Sequence, residues 1–165
     1  MKKIAILFLI GFTLSRCGIY SFSGASIPLE AKTISVDYFS NNASIVQPTL
    51  SQTVTDKLKD LLTAQTNLMI VEKSADLVFQ GSITKYNIQP ISIKANETSE
   101  KNRLTITINV TYINNIDSKN EFETSFSRYI DYESNQNFIE IEETLIEEVT
   151  NEITEDIFNK AFVNW

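Results

Sequence analysis

The residue best placed to do chemistry in this sequence is Cys17, the only cysteine among 165 residues. It follows two lysines and an apolar run of 11 residues, Ile4 to Leu14, which is the pattern of a secretory signal peptide. The run is shorter than the roughly 20 residues that a membrane-spanning helix needs. A thiol just after such a signal is a substrate for lipidation, and each buried CH₂ of an acyl chain contributes about 0.8 kcal/mol to membrane attachment. We therefore predict that Cys17 is the lipidation site.

Arg16 departs from this pattern, because a lipoprotein signal carries a small residue directly before the cysteine. Two other interpretations therefore stay open: Cys17 is a free thiol behind an ordinary signal peptide, or the N-terminus is not cleaved. In each case an internal disulfide is impossible, since the chain has no second cysteine. An exported domain of this sequence then depends on packing for its stability.

Charged side chains provide the other candidates for a site. Lys94, Lys101 and Arg103 form one modest cationic group at the ends of a polar stretch, residues 94–103, that we predict to be a hairpin loop. They are candidate contacts for the phosphates of an anionic lipid, and ordinary loop solubility is the alternative. The paired carboxylates Glu142-Glu143 and Glu147-Glu148 are typical of a solvated helix face, because catalytic carboxylates of glycosidases flank a cleft and a calcium loop needs a glycine.

The composition excludes several classes of function. The chain has no histidine, which removes Ser-His-Asp and Cys-His catalysis and most zinc sites. Four glycines in all leave no Gly-rich phosphate loop. A formal charge of −7 without clustered Lys and Arg disfavours nucleic-acid binding. We therefore expect a binding or assembly protein and not an enzyme, with no cofactor, no metal and no nucleic-acid partner.

Alternation of apolar and polar residues predicts the strands. It is strictest from Leu104 to Tyr112, and it also marks strands within residues 31–39 and 122–132. The apolar segment at residues 68–71 is a short predicted strand, and residues 75–86 form a longer one. In the longer strand Gly81 indicates a bulge or close packing, and Pro90 after it indicates a break or a sheet edge.

Two other stretches have apolar residues at helical spacing. The first follows Pro48, and we predict that Thr49 caps it while Gln52 completes a capping box. The second follows Asn137, a predicted cap with Glu140 at the third helical position. The apolar stripes are Leu50, Val54, Leu58, Leu61 and Leu62 in the first helix, and Phe138, Ile141, Leu145, Val149, Ile153, Ile157 and Ala161 in the second.

The predicted fold class is α+β. We expect a two-layer sandwich, in which two amphipathic helices pack on a mostly antiparallel sheet of about four to five strands in the order β-α-β-β-β-β-α. The predicted organisation is a lipoprotein signal peptide at 1–16, a tether at 17–30 and a single domain at 31–165. Removal of residues 1–16 takes the formal charge from −7 to −10 and leaves 149 residues, enough for one compact core.

Six segments of the sequence carry a resemblance to a known family. They are Cys17–Ser26, Lys32–Phe39, Pro48–Gln52, Asn102–Thr107, Ser125–Arg128 and Asp156–Trp165. These segments resemble the Bacteroidetes-type LptE family of lipopolysaccharide-assembly lipoproteins. The resemblance covers essentially the whole mature chain, and its two ends are specific.

The resemblance implies a lipoprotein on the periplasmic face of the outer membrane of a Gram-negative bacterium. Such a protein plugs the LptD barrel, assists its folding and helps deliver lipopolysaccharide to the outer leaflet. The implied partners are an LptD-type β-barrel, lipopolysaccharide and the membrane, reached through the lipid anchor. The only site that the resemblance carries over by residue is Cys17. The alternative function is a periplasmic lipoprotein that scaffolds another envelope or secretion complex.

Overall fold

In the computed structural model, which describes residues 27–91 and 100–163, two helices lie on one face of a six-stranded sheet. The predicted α+β sandwich is thereby confirmed. The elements in chain order are β1 (Thr33–Val36), β2 (Ser40–Asn41), α1 (Leu50–Gln65), β3 (Met69–Ile70), β4 (Leu77–Ile91), β5 (Lys101–Asn114), β6 (Phe122–Glu133) and α2 (Phe138–Phe162).

The sheet is mixed, with strand order β3-β1-β4-β5-β6 and β2 beside β4. The three long strands, β4, β5 and β6, form an antiparallel meander. The short strands β1 and β2 run parallel to β4, and β3 runs parallel to β1. The predicted mostly antiparallel sheet therefore describes the long strands. The observed order adds β2, a two-residue strand that carries no alternation of its own.

The strand β4 runs through Pro90, where the sequence predicted a break or an edge. Pro90 lies opposite Asn102 in the register with β5. The main chain of Asn102 faces β6, because the neighbouring Ser134 N–H bonds to the Glu100 carbonyl and main-chain groups alternate sides along a strand. Pro90 thus occupies a position where no N–H is needed for the β4–β5 ladder, so the strand continues.

Gly81 allows an aromatic ring to lie against the sheet. A Cβ placed on Gly81 would lie 2.3 Å from Cε1 of Phe39 and 2.7 Å from the carbonyl oxygen of Asn109. Phe39 is fully buried, and its N–H donates to Oγ1 of Thr55 in α1 at 3.1 Å. Close packing at Gly81 is confirmed, while the irregularity in register falls two residues later, between Ile83 and Lys85.

The two helices begin with different caps. At α2 the prediction is confirmed: Oδ1 of Asn137 accepts from the Ile139 N–H at 3.3 Å, and its Nδ2 donates to Glu140 at 2.9 Å. At α1 the prediction is wrong, because the Thr49 side chain makes no capping bond. Oε1 of Gln47 instead accepts from the N–H groups of Thr49 and Leu50, both at 2.8 Å. Gln47 therefore caps α1 in place of Thr49.

The core lies between the helices and the sheet. Both predicted stripes face it: Leu50, Val54, Leu58 and Leu62 of α1 and Ile153 and Ile157 of α2 are fully buried. Around the C-terminal end of α2, the rings of Phe79, Tyr112 and Phe162 pack with centroids 4.9 to 6.1 Å apart. Neither helix in the described ranges is long and apolar enough to cross a membrane.

The sandwich has two distinct ends. At the hairpin end, β4 leads to β5. Both helices also begin at this end, since the groove between them is lined by Thr53 from the first turn of α1 and by Ile139 from the first turn of α2. At the tether end, β1 begins and both helices finish. Asp76 fastens this end, because its Oδ2 accepts from the N–H groups of Lys32 and Thr33 and from the Thr33 hydroxyl, each at 2.9 Å.

Candidate functional site

The predicted cationic group lies partly on β5. Lys101 and Arg103 belong to this strand, so the loop predicted over residues 94–103 is shorter than the sequence indicated. The side chain of Arg103 lies on the face of the sheet opposite the helices, because its neighbour in sequence, Leu104, is fully buried beneath them. Lys94 and Cys17 lie outside the described residues.

Arg103 is held by two partners on β6. Its Nε and Nη2 donate to the two carboxylate oxygens of Asp131 at 2.6 and 2.9 Å, and its guanidinium lies 3.7 Å from the centre of the Tyr129 ring. The hydrogen bond from Arg103 lowers the pKa of the Asp131 carboxyl, and the same bond raises the pKa of the guanidinium. An incoming phosphate would therefore have to share or displace Asp131, so this cation is pre-oriented but not unoccupied.

Lys101 has a looser arrangement at the same end of the sheet. Its Nζ lies 3.7 Å from Oε1 of Glu133, and both side chains are about two-fifths exposed. An exposed pair at this distance contributes little to stability. The lysine can therefore exchange its carboxylate partner for another anion at small cost, which makes it the more available of the two described cations.

The open face of the sheet, opposite the helices, is built from small polar side chains. They form cross-strand contacts between β5 and β6: the hydroxyls of Thr107 and Ser127 are 2.9 Å apart, and Asn109 bonds to Ser125 at 3.2 Å and to Glu123 at 3.0 Å. The cationic group and Cys17 were the predicted sites, and this face was not among them. Its polar character is nevertheless visible in the sequence, since every second residue from Thr105 to Thr111 is Thr or Asn.

The glutamates of α2 that have partners among the described residues bond to different groups. Glu142 accepts a hydrogen bond from the buried Tyr86 hydroxyl at 2.5 Å, and burial followed by this carboxylate raises the pKa of Tyr86. Glu147 instead meets Lys57 of α1 at 3.3 Å. Members of the two glutamate pairs thus reach different neighbours, and among the described residues no group of three or more side chains could hold a metal ion.

The family model for lipopolysaccharide-assembly proteins, LptE, matches residues 31–161. The chain belongs to the LptE family. LptE proteins are lipopolysaccharide-assembly lipoproteins associated with the outer membrane, and the family is not an enzyme family. No curated protein matches this chain.

Three solved structures share the fold of this LptE protein at low sequence identity. A minor lipoprotein from Acinetobacter baumannii is 14% identical, with a TM-score of 0.52 over 79% of this chain and 91% of that one. A hypothetical protein from Chlamydia trachomatis is 7% identical, with a TM-score of 0.54 over 81% and 99%. A protein from Xanthomonas campestris is 12% identical, with a TM-score of 0.51 over 79% and 83%. At these identities the likeness concerns the fold alone.

Proposed function

We propose that this LptE protein is held at the periplasmic face of the outer membrane by an acylated Cys17 and fills the lumen of an LptD-type barrel. There it assists folding of the barrel and contacts lipopolysaccharide. The observation that carries the proposal is the match to the LptE family model over residues 31–161, which is nearly the whole domain.

The geometry of the fold supports this arrangement. Between Cys17 and Ile27 the chain has ten peptide steps, which reach at most about 36 Å when fully extended. An anchor at Cys17 therefore keeps the tether end near the membrane surface. The hairpin end, with Lys101 and Arg103, then points away from the anchor and towards the interior of a barrel.

The surface of the domain also suits a plug. Stable protein complexes bury roughly 1,200–2,000 Å², and the open face carries hydroxyl and amide groups, those of Thr107, Asn109, Ser125 and Ser127, that can bond to a polar barrel wall. Lys101 and Arg103 on this face, with Lys94 beyond the described residues, are the proposed contacts for lipopolysaccharide phosphates.

The test is affinity purification of the C-terminally tagged full chain from native membranes in mild detergent. We expect a large outer-membrane barrel at near one-to-one ratio, with lipopolysaccharide in the same fraction. The Cys17→Ala variant should lose membrane attachment. Recovery of secretion or other envelope components in place of a barrel would instead support the scaffold function.

The lipid contact is tested in the same preparation. Arg103→Glu should lower the amount of lipopolysaccharide retained per complex, because it places a second carboxylate beside Asp131. Lys85→Glu is the matched control, since it makes the same charge reversal on β4 away from the hairpin end. Equal retention by wild type and by both variants would remove Arg103 from the proposed contact.

A further inference from the structure

The outer edge of β6 is a long row of main-chain groups that bond to no strand in the described residues. Its orientation follows from two bonds next to the strand: Ser134 N–H donates to Glu100 across the β5–β6 ladder, whereas Glu133 N–H donates to the side chain of Gln136. Main-chain groups alternate sides along a strand. The outward-facing N–H and C=O groups are therefore those of Glu123, Ser125, Ser127, Tyr129 and Asp131.

This edge lacks most of the features that protect an edge strand against pairing, and the charged side chains beside its outward main-chain groups, such as Glu123 and Asp131, are acidic. The segment Phe122–Glu133 contains no proline, glycine or lysine, and it pairs with β5 over its whole length without a bulge. Natural proteins guard exposed edges with such features or by making the strand very short. The other edge of the sheet, β3, is two residues long. The one inward charge on β6, Arg128, is neutralised by Asp156 at 2.6 and 2.7 Å.

A groove beside this edge offers a place for a side chain. It lies between the end of β6 and the first turns of α2, with a volume of about 300 Å³. The groove is lined by the apolar side chains of Tyr132, Ile141 and Leu145, and Asp131 and Glu133 also belong to its lining. In strand addition the main-chain bonds give affinity, and a pocket for one side chain gives specificity.

Charge decides against a second copy of this chain as the occupant. Self-pairing around a two-fold axis can overlap the whole strand in two registers, centred on Ser127 or on Arg128. The first places Glu123 opposite Asp131 of the other copy, and the second places it opposite Glu133 and sets Arg128 against itself. Like charges directly opposite one another destabilise a strand pair.

We propose that β6 binds an extended segment of a partner protein as an additional strand. The segment carries a lysine or arginine opposite the acidic residues of the edge and a large apolar side chain that enters the groove beside Ile141. This goes beyond the proposed function. In a closed barrel every strand is already paired, so a segment supplied by an LptD-type partner comes from outside the barrel wall.

The test uses the full-length tagged chain in its native host, with a photoreactive benzophenone amino acid in place of Tyr129. Tyr38 is the matched control position, because the two tyrosines are similarly exposed, at 55% and 64%. The second variable is Ser125→Pro, which removes one outward N–H, compared with Ser125→Ala, which keeps it. Ser127→Pro replaces Ser125→Pro if that variant does not accumulate at the wild-type level.

We expect a cross-link from position 129 to one other protein, absent from position 38. The proline variant should reduce it about fivefold, as expected for one lost main-chain bond, and the alanine variant should not. The cross-linked peptide should contain the basic and apolar residues. A product twice the mass of this chain, no product at position 129, or a product insensitive to proline would each overturn the proposal.

Failure here is distinguishable from failure of the proposed function. A barrel that co-purifies without any cross-link at position 129 keeps the plug function and removes strand addition. A proline-sensitive cross-link to a protein that is not part of a barrel complex keeps strand addition and removes the plug.

Discussion

The two faces of β5 show how this domain divides stability from recognition. Ile106, Ile108 and Val110 are fully buried beneath the helices. Thr105 and Thr107, which alternate with them in sequence, are half-buried on the open face. One strand thus contributes an apolar layer to the core on one side and a row of hydroxyls to the surface on the other.

The kind of interaction also differs between the faces. The helix-covered face is held by aliphatic packing and by aromatic rings such as Phe79 and Tyr112. The open face is held by short polar contacts and by the Arg103–Asp131 pair. Burial of apolar area carries most of the stability of a domain, while exposed polar contacts contribute little. The open face can therefore change in sequence to suit a partner without loss of the fold.

The largest expected effect comes from neighbouring substitutions on opposite faces. Ile108→Ala should lower the free energy of unfolding by about 2–5 kcal/mol, because it leaves a cavity in a packed core. Thr107→Ala removes one partly exposed hydroxyl contact and should cost less than about 1 kcal/mol. Urea unfolding of both variants measures the difference. Equal costs would contradict the division of roles between the faces.

A smaller loss of stability is expected at Tyr86, a buried residue whose hydroxyl bonds to Glu142 of α2. Tyr86→Phe removes the bond to Glu142 and should cost about 1 kcal/mol at neutral pH. Because the pKa of Tyr86 is raised in the folded state, its contribution is complete below the unfolded value of about 10 and is lost as the pH rises through the folded value.

The measurement is unfolding of wild type and Tyr86→Phe between pH 7 and pH 11. Wild type should lose stability more steeply above about pH 10. Tyr112, whose pKa burial raises to about 12, is present in both proteins and serves as the shared background. If the free energies of unfolding of the two proteins changed in parallel from pH 7 to pH 11, the ionisation of the Tyr86 hydroxyl would not contribute to stability.

The sequence predicts which side chains are buried and which are exposed only where apolar and polar residues alternate regularly. Alternation from Leu104 to Tyr112 places β5 correctly and identifies the buried side. The partner of Arg103 could not be found in this way, since Asp131 lies 28 residues away on another strand and the contact depends on register. The same holds for Gln47, which caps α1 through a loop conformation that has no repeat.

The parallel pairing of β1 with β3 and β4 could not be predicted from local sequence either. The strand β1 lies between β3 and β4 because α1 carries the chain back across the sheet, and a two-residue strand such as β2 has no period. For the candidate site, the cationic group was recognisable from composition, but its ion pairs were not. Cys17 and Lys94 lie outside the described residues and stay predictions.

The smallest expected effect lies at the tether end, where Asp76 joins β1 to β4 by accepting three hydrogen bonds around Thr33. These bonds, led by the Lys32 N–H, lower the pKa of Asp76. A carboxyl whose folded pKa is lowered stabilises the fold above its unfolded value, about 3.9, and this contribution is lost as the pH falls through the folded value.

Asp76→Asn keeps the shape of the side chain and removes the charge, so it should be less stable than wild type by a constant amount from about pH 5 to pH 8. The difference should shrink as the pH falls below about 4, because wild type then loses the charge as well. Asp56→Asn, at an exposed carboxylate of α1, is the control. If the gap between Asp76→Asn and wild type did not narrow in acid, shape and not charge would join β1 to β4. The charge-dependent contacts that hold the sheet would then be limited to ion pairs such as Arg103–Asp131 on the open face.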